Sequence, residues 1–203
     1  MSNDHQVREK IVVIPYKTMW KEQFSRAKKD LKDCLGDTVI AIEHIGSTSI
    51  KGLAAKDRID IQISVKEVTE EVCHDINKKL EELSLSKAFM TRDHLPPWDN
   101  NLENWKKIYL QGFTAHWDFK CNIHIRAVGL ANHDYALLFR DYLRSDEECK
   151  IAYKNFKVTL ADYMPDNRDA YSDIKDPFCD MIMINARKWA IQTDWKPQTT
   201  TGE

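Results

Sequence analysis

The sequence has no long apolar run, few glycines and prolines, and no excess of one charge. Lys and Arg total 30 against 32 Asp and Glu, which gives a formal net charge of -2 with neutral histidines. This balance argues against a protein that coats nucleic acid, although a local basic patch stays open. No apolar run approaches the roughly 18 residues of a membrane span, and residues 1–10 lack the apolar stretch of a signal peptide. We expect a cytoplasmic protein with no membrane partner.

Cysteine is also sparse, and its placement excludes two kinds of site. The five cysteines are widely spread and form no C-x-x-C pair, so neither a zinc knuckle nor a redox pair is indicated. We therefore expect free buried thiols and no structural metal. The 203 residues fit one domain, at residues 11–195, between disordered tails at 1–10 and 196–203.

Short apolar segments predict the strands of the domain. Residues 39–42, 59–65 and 121–128 are apolar or alternate between apolar and polar side chains. The alternation in 59–65 predicts a strand with one face in water. Residues 86–121 are irregular and aromatic and suggest a packed lid or an extra edge. A substrate-lining role for its tryptophans, Trp98, Trp105 and Trp117, is the alternative.

Apolar residues at three- and four-residue steps predict helices around these strands. One runs from Trp20 to Leu35, with Gly36 where a C-terminal cap is expected, and a second covers residues 68–83. The chain is helical from Asp134 onward, and the final helix is predicted to start near Pro177. The pattern indicates one α/β (α+β) domain with a mixed sheet and a helical C-terminal region.

The most informative stretch joins two predicted strands. The first ends at Gly46-Ser47, and the second carries Asp60. A Gly-Ser turn at a strand end lets backbone N–H groups approach an anion, and a neighbouring carboxylate can hold a divalent cation against the same phosphates. On its own the pattern fits a plain turn equally well.

Several motifs in one order strengthen the functional interpretation. They are Glu43-His-Ile-Gly-Ser-Thr-Ser-Ile-Lys-Gly-Leu-Ala-Ala-Lys56, Ile59-Asp-Ile61, Asn122-Ile-His-Ile-Arg126, Phe139-Arg-Asp-Tyr-Leu-Arg144, and a closing pattern of Tyr153, Lys157, Asp166, Tyr171 and Lys175. Together they resemble the signature of the GrpB (UPF0157) family over about residues 11–191. The resemblance implies a nucleotidyltransferase fold of the DNA polymerase beta type.

The sequence departs from the chemistry of that parent superfamily. Its site uses two carboxylates one residue apart and a third on a neighbouring strand. Here Gln62 takes the place of the second carboxylate and His124 that of the third. An amide oxygen is a poor substitute in a site that holds two divalent ions. Asp60 can still bind one magnesium for nucleotidyl transfer, or orient an amine or cationic substrate without metal.

A second part of the resemblance suggests chemistry that needs no cofactor. Fungal members of the GrpB-like group resemble this chain and are associated with synthesis of arginine-containing cyclodipeptides from aminoacyl-tRNA. The candidate catalytic residues implied for such a transfer are Asp60, Glu43, His44, Ser47 and His124. Glu43 or Asp60 would pair with an arginine side chain, and His44 or His124 would move a proton. Ser47 or Thr48 would donate to the oxyanion or act as the nucleophile.

A further set of residues is expected to bind the substrate: Gly46, Thr48, Lys56, Gln62, Arg126, Arg140, Arg144, Tyr153, Lys157, Tyr171 and Lys175. Plain structural roles stay open for several of them, such as surface ion pairs for Arg140 and Arg144. Three functions remain. They are aminoacyl transfer from arginyl-tRNA, magnesium-dependent nucleotidyl transfer to a small molecule or nucleotide, and non-catalytic nucleotide binding.

Overall fold

The structure is a computed structural model that describes residues 10–112 and 117–197. Its sheet contains the strands β1 (Ala41–Ile45), β2 (Ile59–Val65), β3 (Phe89–Arg92), β4 (Lys106–Gly112) and β5 (Cys121–Ala127). The strand order is β1-β2-β5-β4-β3, and only β2 and β5 run parallel among these neighbours. The predicted mixed sheet is confirmed. Residues 1–9 and 198–203, to which most of the predicted tails belong, lie outside the described part.

Five helices accompany the sheet in the described residues: α1 (Met19–Leu35), α2 (Glu70–Lys79), α3 (Ala131–Ser145), α4 (Glu147–Tyr163) and α5 (Arg168–Gln192). The sequence sets several of their ends. Gly36 follows α1 with a φ of 54°, as its predicted capping role requires. Asp146 begins α4 by accepting a hydrogen bond from the Cys149 N–H at 2.9 Å, and Asn167 does the same for α5. The predicted helical C-terminal region is confirmed.

The two faces of the sheet differ in chemistry. On one face, Ile61 and Ile63 of β2 and Ile123 of β5 are fully buried, in the same core as Trp20 and Leu31 of α1. Burying apolar surface of this kind is the main stabilising contribution to the domain. The opposite face is polar, because the register pairs Asp60 with Asn122, Gln62 with His124 and Ser64 with Arg126. The functional residues of the sheet lie on this polar face.

Helix α3 covers one end of the polar face, and this corrects the prediction that β2 has a face in water. Gln62 and Ser64 are fully buried. The side-chain amide of Gln62 donates to the carbonyl oxygen of His133 at 3.2 Å, and the Ser64 hydroxyl lies 3.0 Å from the His133 ring. Polar residues that alternate along a strand indicate either water or a buried hydrogen-bonded network, and here the network is present.

Other predictions also need correction. The segment 86–121 contains β3 and β4, so the irregular structure predicted for it is wrong, whereas the predicted extra edge is confirmed, because these strands lie at one edge of the sheet. The final helix begins at Arg168, and Pro177 lies inside it and not in its first turn. Of the three tryptophans in that segment, Trp105 and Trp117 are buried and Trp98 is half-buried. The five cysteines are free, as predicted, but only Cys73, Cys121 and Cys179 are buried, and Cys34 and Cys149 are half-buried.

The C-terminal helices enclose a second core. Leu143 of α3 and Ala186 of α5 are fully buried there, together with Ile50 and Leu53 from the loop after β1. That loop is therefore held between the sheet and the helices. No helix among the described residues is long and apolar enough to cross a membrane.

A glycine allows the turn after β1 to pass close to β2. Gly46 has a φ of 68°, in the left-handed region that favours glycine. A Cβ atom added at Gly46 would overlap the carboxylate of Asp60, and it would lie only 2.9 Å from the Cβ of that residue. The neighbouring residue Ile45 is the strand partner of Asp60, so the turn lies directly over the start of β2.

This contact predicts that Gly46→Ala is more destabilising than the same change at another left-handed glycine. Gly52 is the matched control, because its φ is 83° and an added Cβ would meet no atom within 4 Å. We expect Gly52→Ala to cost about 1–2 kcal/mol for its positive φ. Gly46→Ala should cost about 1–3 kcal/mol more, because its φ of 68° and ψ of -174° lie in a region essentially restricted to glycine and because the added Cβ overlaps Asp60. Urea denaturation of both variants measures the difference, and equal losses would contradict the proposed overlap.

Candidate active site

A cavity of about 450 Å³ lies over the polar face of the sheet, where β2 and β5 begin. Its walls come from the turn after β1, the two strands, and helices α3, α4 and α5. The residues of this cavity that the sequence singled out are Gly46, Ser47, Thr48, Lys56, Asp60, His124, Arg126, Tyr153, Lys157, Tyr171 and Lys175. Of the three tryptophans considered for a lining role, Trp105 lines the cavity, whereas Trp98 and Trp117 do not. The structure therefore brings the serine-bearing turn and Asp60 into one cavity, which we call the Asp60 cavity.

Asp60 is an ionised carboxylate with one oxygen engaged. Its Oδ1 accepts a hydrogen bond from Asn122 at 2.7 Å and lies 3.8 Å from Nε2 of His124. Burial alone raises the pKa of Asp60, but the N–H groups of His124 and Asn122 and the charge of Lys56 outweigh burial and hold that pKa below its ordinary value. Oδ2 lies against Gly46 and accepts no hydrogen bond from the described residues, and the Asp60 side chain is 29% exposed.

His124 is neutral, and its tautomer follows from its neighbours. Its Nδ1 lies 3.2 Å from the ammonium of Lys107 and 3.4 Å from the guanidinium of Arg126. Both partners only donate, so Nδ1 must accept, and the ring proton is on Nε2, which faces Asp60. Burial, and after it the charge of Lys107, lowers the pKa of His124 to about 4. His124 therefore presents an N–H to the Asp60 carboxylate at neutral pH.

A second carboxylate of the cavity, Asp93, was not found from the sequence. It follows β3 and is bound by Arg126 through two contacts of 2.9 and 3.0 Å, by Lys107 and by Asn132. Burial opposes ionisation of Asp93, but these cations lower its pKa strongly. No motif surrounds Asp93 in the sequence, so only the tertiary packing identifies it. Its role is to fix Arg126 and Lys107, which in turn fix His124.

Gln62 is not available to a ligand. Its Oε1 accepts from Arg126 at 2.6 Å and its amide donates to His133, so both ends of the side chain are used. The arrangement does not fit two magnesium ions, because the second ligand position holds this engaged amide and the third holds the N–H of His124. The part of the chain that the structure describes contains no group of three His, Cys, Asp or Glu residues placed to hold a metal.

Lys157 connects α4 to the serine turn. It is 3% exposed, and its Nζ lies 2.8 Å from the Ser47 hydroxyl and also contacts the carbonyl oxygen of Ala54. The ammonium also lies over the Tyr153 ring, 4.6 Å from its centroid. Burial lowers the pKa of Lys157 to about 7, so the amine is available in neutral form near physiological pH.

The Asp60 cavity is strongly cationic. Eight Lys or Arg residues line it: Lys56, Arg58, Arg92, Lys107, Arg126, Lys157, Arg168 and Lys175. The three acidic residues of its lining are Asp60, Asp93 and Asp176. Because the whole chain has a net charge of -2, positive charge is concentrated here. Such a cavity favours an anionic ligand, and phosphate groups are the common one.

Two of these lysines, on the side of the cavity formed by α5, differ in their electrostatics. Lys56 lies 5.1 Å from the centroid of the Tyr171 ring, and burial is the main cause that lowers its pKa. Burial also opposes the charge of Lys175, but Cys179 and Asp176 outweigh it and raise the pKa of Lys175. Lys175 donates to Asp176 at 3.0 Å. Lys175 is therefore a permanent positive charge of the cavity wall.

Four of the sequence-predicted residues lie elsewhere. Glu43, His44, Arg140 and Arg144 line a second cavity, of about 860 Å³, at the β1 edge of the sheet. His44 points to the apolar face, where it stacks on Phe24 with ring centroids 4.8 Å apart. His44 and His124 therefore point to opposite faces of the sheet. Successive side chains of a strand alternate between the two faces, and His44 occupies the apolar one. His44 was expected near Asp60 because it lies close to Gly46 in the sequence. The pleat of the strand directs its side chain to the other face of the sheet.

The contacts of these four residues are internal. His44 binds the Thr48 hydroxyl at 3.0 Å, and burial lowers the pKa of His44 to about 4. Arg140 donates to the His44 carbonyl oxygen at 3.1 Å, and Arg144 to that of Ser49 at 2.8 Å. Glu43 is buried 3.9 Å from Arg140, and burial raises the pKa of Glu43. The arginines thus brace β1 and the following turn.

The lowered pKa of His124 predicts that acid destabilises the protein. Unfolded histidine titrates near pH 6.5, whereas folded His124 resists protonation down to about pH 4. Stability is therefore lost as the pH falls from about 6.5 towards 4, because the unfolded state takes up the proton first. At pH 5 we expect His124 to contribute a loss of about 1–2 kcal/mol, with His44 adding a similar loss.

The measurement is urea unfolding at pH 7 and pH 5 for the wild type and His124→Gln. Glutamine retains an acceptor for Lys107 and Arg126 but does not titrate. The loss of unfolding free energy between pH 7 and pH 5 should therefore be smaller in this variant by the roughly 1–2 kcal/mol attributed to His124. His74→Gln, at an exposed position on α2, is the matched control and should keep the full sensitivity. An unchanged pH dependence in His124→Gln would refute the neutral, buried state of this ring.

Comparison with known proteins places this chain in a family. The family model described as GrpB protein matches residues 10–185. The chain is 29% identical over 182 residues to UPF0157 protein YqkA of Bacillus subtilis, covering 90% of this chain and 49% of YqkA. It is 28% identical over 209 residues to a dephospho-CoA kinase of Mycolicibacterium paratuberculosis, covering 94% of this chain and 49% of the kinase. The chain thus spans about half the length of both relatives.

A solved structure supports the same assignment. The crystal structure of conserved protein GrpB from Enterococcus faecalis superposes with a TM-score of 0.68 at 29% identity, covering 87% of this chain and 98% of that one. The mixed α/β sheet and the family that the sequence predicted are therefore confirmed together. The chain belongs to the GrpB family.

Proposed function

We propose that this chain is a nucleotidyltransferase-fold transferase that takes a phosphate-bearing substrate into the Asp60 cavity and transfers an aminoacyl group from arginyl-tRNA. The observation that carries the proposal is the charge of the cavity, whose lining has eight basic and three acidic residues. A volume of about 450 Å³ suits the terminal nucleotide of a tRNA with its amino acid. The transfer would yield an arginine-containing cyclodipeptide.

The anionic and cationic parts of such a substrate have separate partners. Lys56, Arg58 and Lys175 line the cavity and would contact phosphate oxygens. The arginine side chain would meet the free Oδ2 of Asp60, because a carboxylate matches a guanidinium. Asp60 is well suited to this role, since its lowered pKa keeps it ionised.

The described residues of the cavity do not fit two metal ions, and the proposed reaction does not require them. An aminoacyl ester is already activated, so its transfer needs no Lewis acid and no cofactor. It needs a group to accept a proton and donors for the developing oxyanion. In the Asp60 cavity, Lys157 would accept the proton. Ser47, Thr48 or the N–H of His124 would donate to the oxyanion.

The expected tRNA surface differs from the one foreseen from the sequence. Lys157 and Lys175 lie in the Asp60 cavity, whereas Arg140 and Arg144 line the second cavity. Arg140 and Arg144 also contact Asp141, which reduces their effect on a distant phosphate. We therefore propose that the 3′ end of the tRNA enters the cavity and that these two arginines take no direct part.

Magnesium-dependent nucleotidyl transfer is the second candidate. It is favoured by one observation, the ionised Asp60 carboxylate with a free oxygen beside the cationic wall. One magnesium ion would then be held by Asp60, waters and phosphate oxygens. A relative named for its action on dephospho-CoA, a nucleotide derivative, is compatible with a small nucleotide substrate. The engaged amide of Gln62 argues against it.

The test is incubation of the purified protein with isotopically labelled arginyl-tRNA in EDTA, followed by mass spectrometry of small molecules. We expect a labelled cyclic dipeptide from the wild type and a loss of about 30-fold or more in Asp60→Asn, since a buried charge partner is removed. Asp118→Asn is the matched control, because the Asp118 side chain is 79% exposed and pairs with Arg26 on the surface. Its activity should be unchanged.

Other results separate the alternatives. Pyrophosphate release that requires magnesium and a nucleoside triphosphate would replace the proposal with nucleotidyl transfer. Nucleotide binding in calorimetry without turnover of either substrate would favour a non-catalytic domain. Equal activity in Asp60→Asn and the wild type would remove Asp60 from the mechanism.

A further inference from the structure

We propose that Ser47 is the nucleophile of this site and Lys157 its general base, so that transfer passes through an aminoacyl ester on Ser47. The inference rests on the proposed function and adds to it a covalent intermediate. Its geometric basis is direct, because Nζ of Lys157 lies 2.8 Å from Oγ of Ser47. A base within hydrogen-bond distance of a serine hydroxyl is the arrangement that activates serine in several unrelated enzyme classes.

The surroundings of Lys157 favour the neutral amine that a base requires. The side chain is 3% exposed, and no carboxylate of the described residues forms an ion pair with it. Buried lysines are normally paired with an acid, because an isolated ammonium is costly to remove from water. The polar contacts that Lys157 makes are with a hydroxyl, a carbonyl oxygen and the Tyr153 ring.

A neutral amine keeps both hydrogen-bonded contacts, whereas the contact with the Tyr153 ring favours the ammonium form. The neutral amine has two N–H donors and one lone pair. One N–H is directed to the carbonyl oxygen of Ala54. The lone pair can then accept the hydroxyl proton of Ser47, which reverses the donor and acceptor roles at the same oxygen–nitrogen distance. The loop and α4 thus hold the serine and the amine in a reactive orientation without any further movement.

Charged and titratable groups from several elements face Lys157. Burial is the main cause that lowers its pKa, to about 7, and the positive charges of Lys175 and Lys56 lower it further. Cys179 of α5 and Asp60 of β2 act in the opposite direction. The amine therefore changes from mostly protonated to mostly neutral as the pH rises through 7, and the reactivity of Ser47 should rise with it.

The proposed step balances without an oxidant or metal. The Ser47 hydroxyl oxygen attacks the ester carbonyl carbon of the aminoacyl-tRNA while the Lys157 amine takes its proton. The bond from that carbon to the ribose oxygen breaks, and the Lys157 ammonium returns the proton to that oxygen, which releases free tRNA. The amine of a second aminoacyl-tRNA then attacks the Ser47 ester, an amide bond forms, and the proton lost from that amine passes through Lys157 to the serine oxygen. The free α-amine of the resulting dipeptide finally attacks the remaining tRNA ester, which closes the ring and releases the second tRNA with the amine proton on its ribose oxygen.

The test uses a fluorophosphonate probe, which marks an activated serine without requiring the natural substrate. The serine oxygen displaces fluoride from phosphorus, and the labelled residue is identified by peptide mass spectrometry. We expect labelling at Ser47, with a rate that rises through about pH 7 and then levels. Ser47→Ala should abolish the label. Lys157→Arg, which keeps the charge but cannot accept a proton, should slow labelling about 100-fold or more.

The matched control is Lys154→Arg, on the exposed side of the same helix, and it should label at the wild-type rate. Lys157→Met provides a neutral variant that also lacks a base, and thermal unfolding monitored by circular dichroism selects the folded variants. Labelling of Lys157→Arg at the wild-type rate, a rate independent of pH between 6 and 9, or a label on another residue would each overturn the proposal.

The same variants separate this inference from the proposed function. Dipeptide formed by Ser47→Ala from arginyl-tRNA would exclude the seryl ester while aminoacyl transfer stands. Labelling at Ser47 that depends on Lys157, with no product from arginyl-tRNA, would retain the nucleophile and base and remove arginyl-tRNA as the substrate.

Discussion

The close approach of Gly46 to the carboxylate of Asp60 is the contact on which the site depends. Because Ile45 pairs with Asp60 across the sheet, the chain that leaves β1 must turn directly over this carboxylate. Only a residue without a side chain fits there, and the positive φ of Gly46 directs the next residue, Ser47, towards α4. Lys157 then contacts both Ser47 and Ala54 and holds the two ends of the loop together. One glycine thus sets the positions of the acid, the serine and the lysine.

A second constraint is electrostatic. Several cationic side chains are buried over the polar face of the sheet. Asp93 forms ion pairs with two of them, Arg126 and Lys107. Burial is the main cause that keeps His124 neutral and lowers the pKa of Lys157, and neighbouring cations, Lys107 for His124 and Lys175 for Lys157, act in the same direction. The positive charge of the cavity also favours anionic ligands.

Much of this could be predicted from local sequence patterns. The first helix, β2, β5 and the Gly46 turn follow from periodicity and from the glycine, which report on neighbours in the chain. What the sequence concealed depends on contacts between distant segments. Asp93 has no motif and gains its role from Arg126. Gln62 seemed to face water because a strand pattern does not show that α3 covers it. His44 was placed near Asp60 because proximity in sequence does not specify which face of the sheet a side chain occupies.

The side chains of Gln62, Arg126 and His124 form one coupled network that also includes Asp93. Gln62 accepts from Arg126, Arg126 binds Asp93, and the same arginine lies next to Nδ1 of His124. A carboxylate introduced at position 62 would therefore pair with Arg126 before it met a metal ion, and His124 would still direct an N–H at Asp60. The network is organised around the buried cation of Arg126. Under the proposed function, the cationic wall would bind the anionic part of the substrate, and Oδ2 of Asp60 would meet its cationic part.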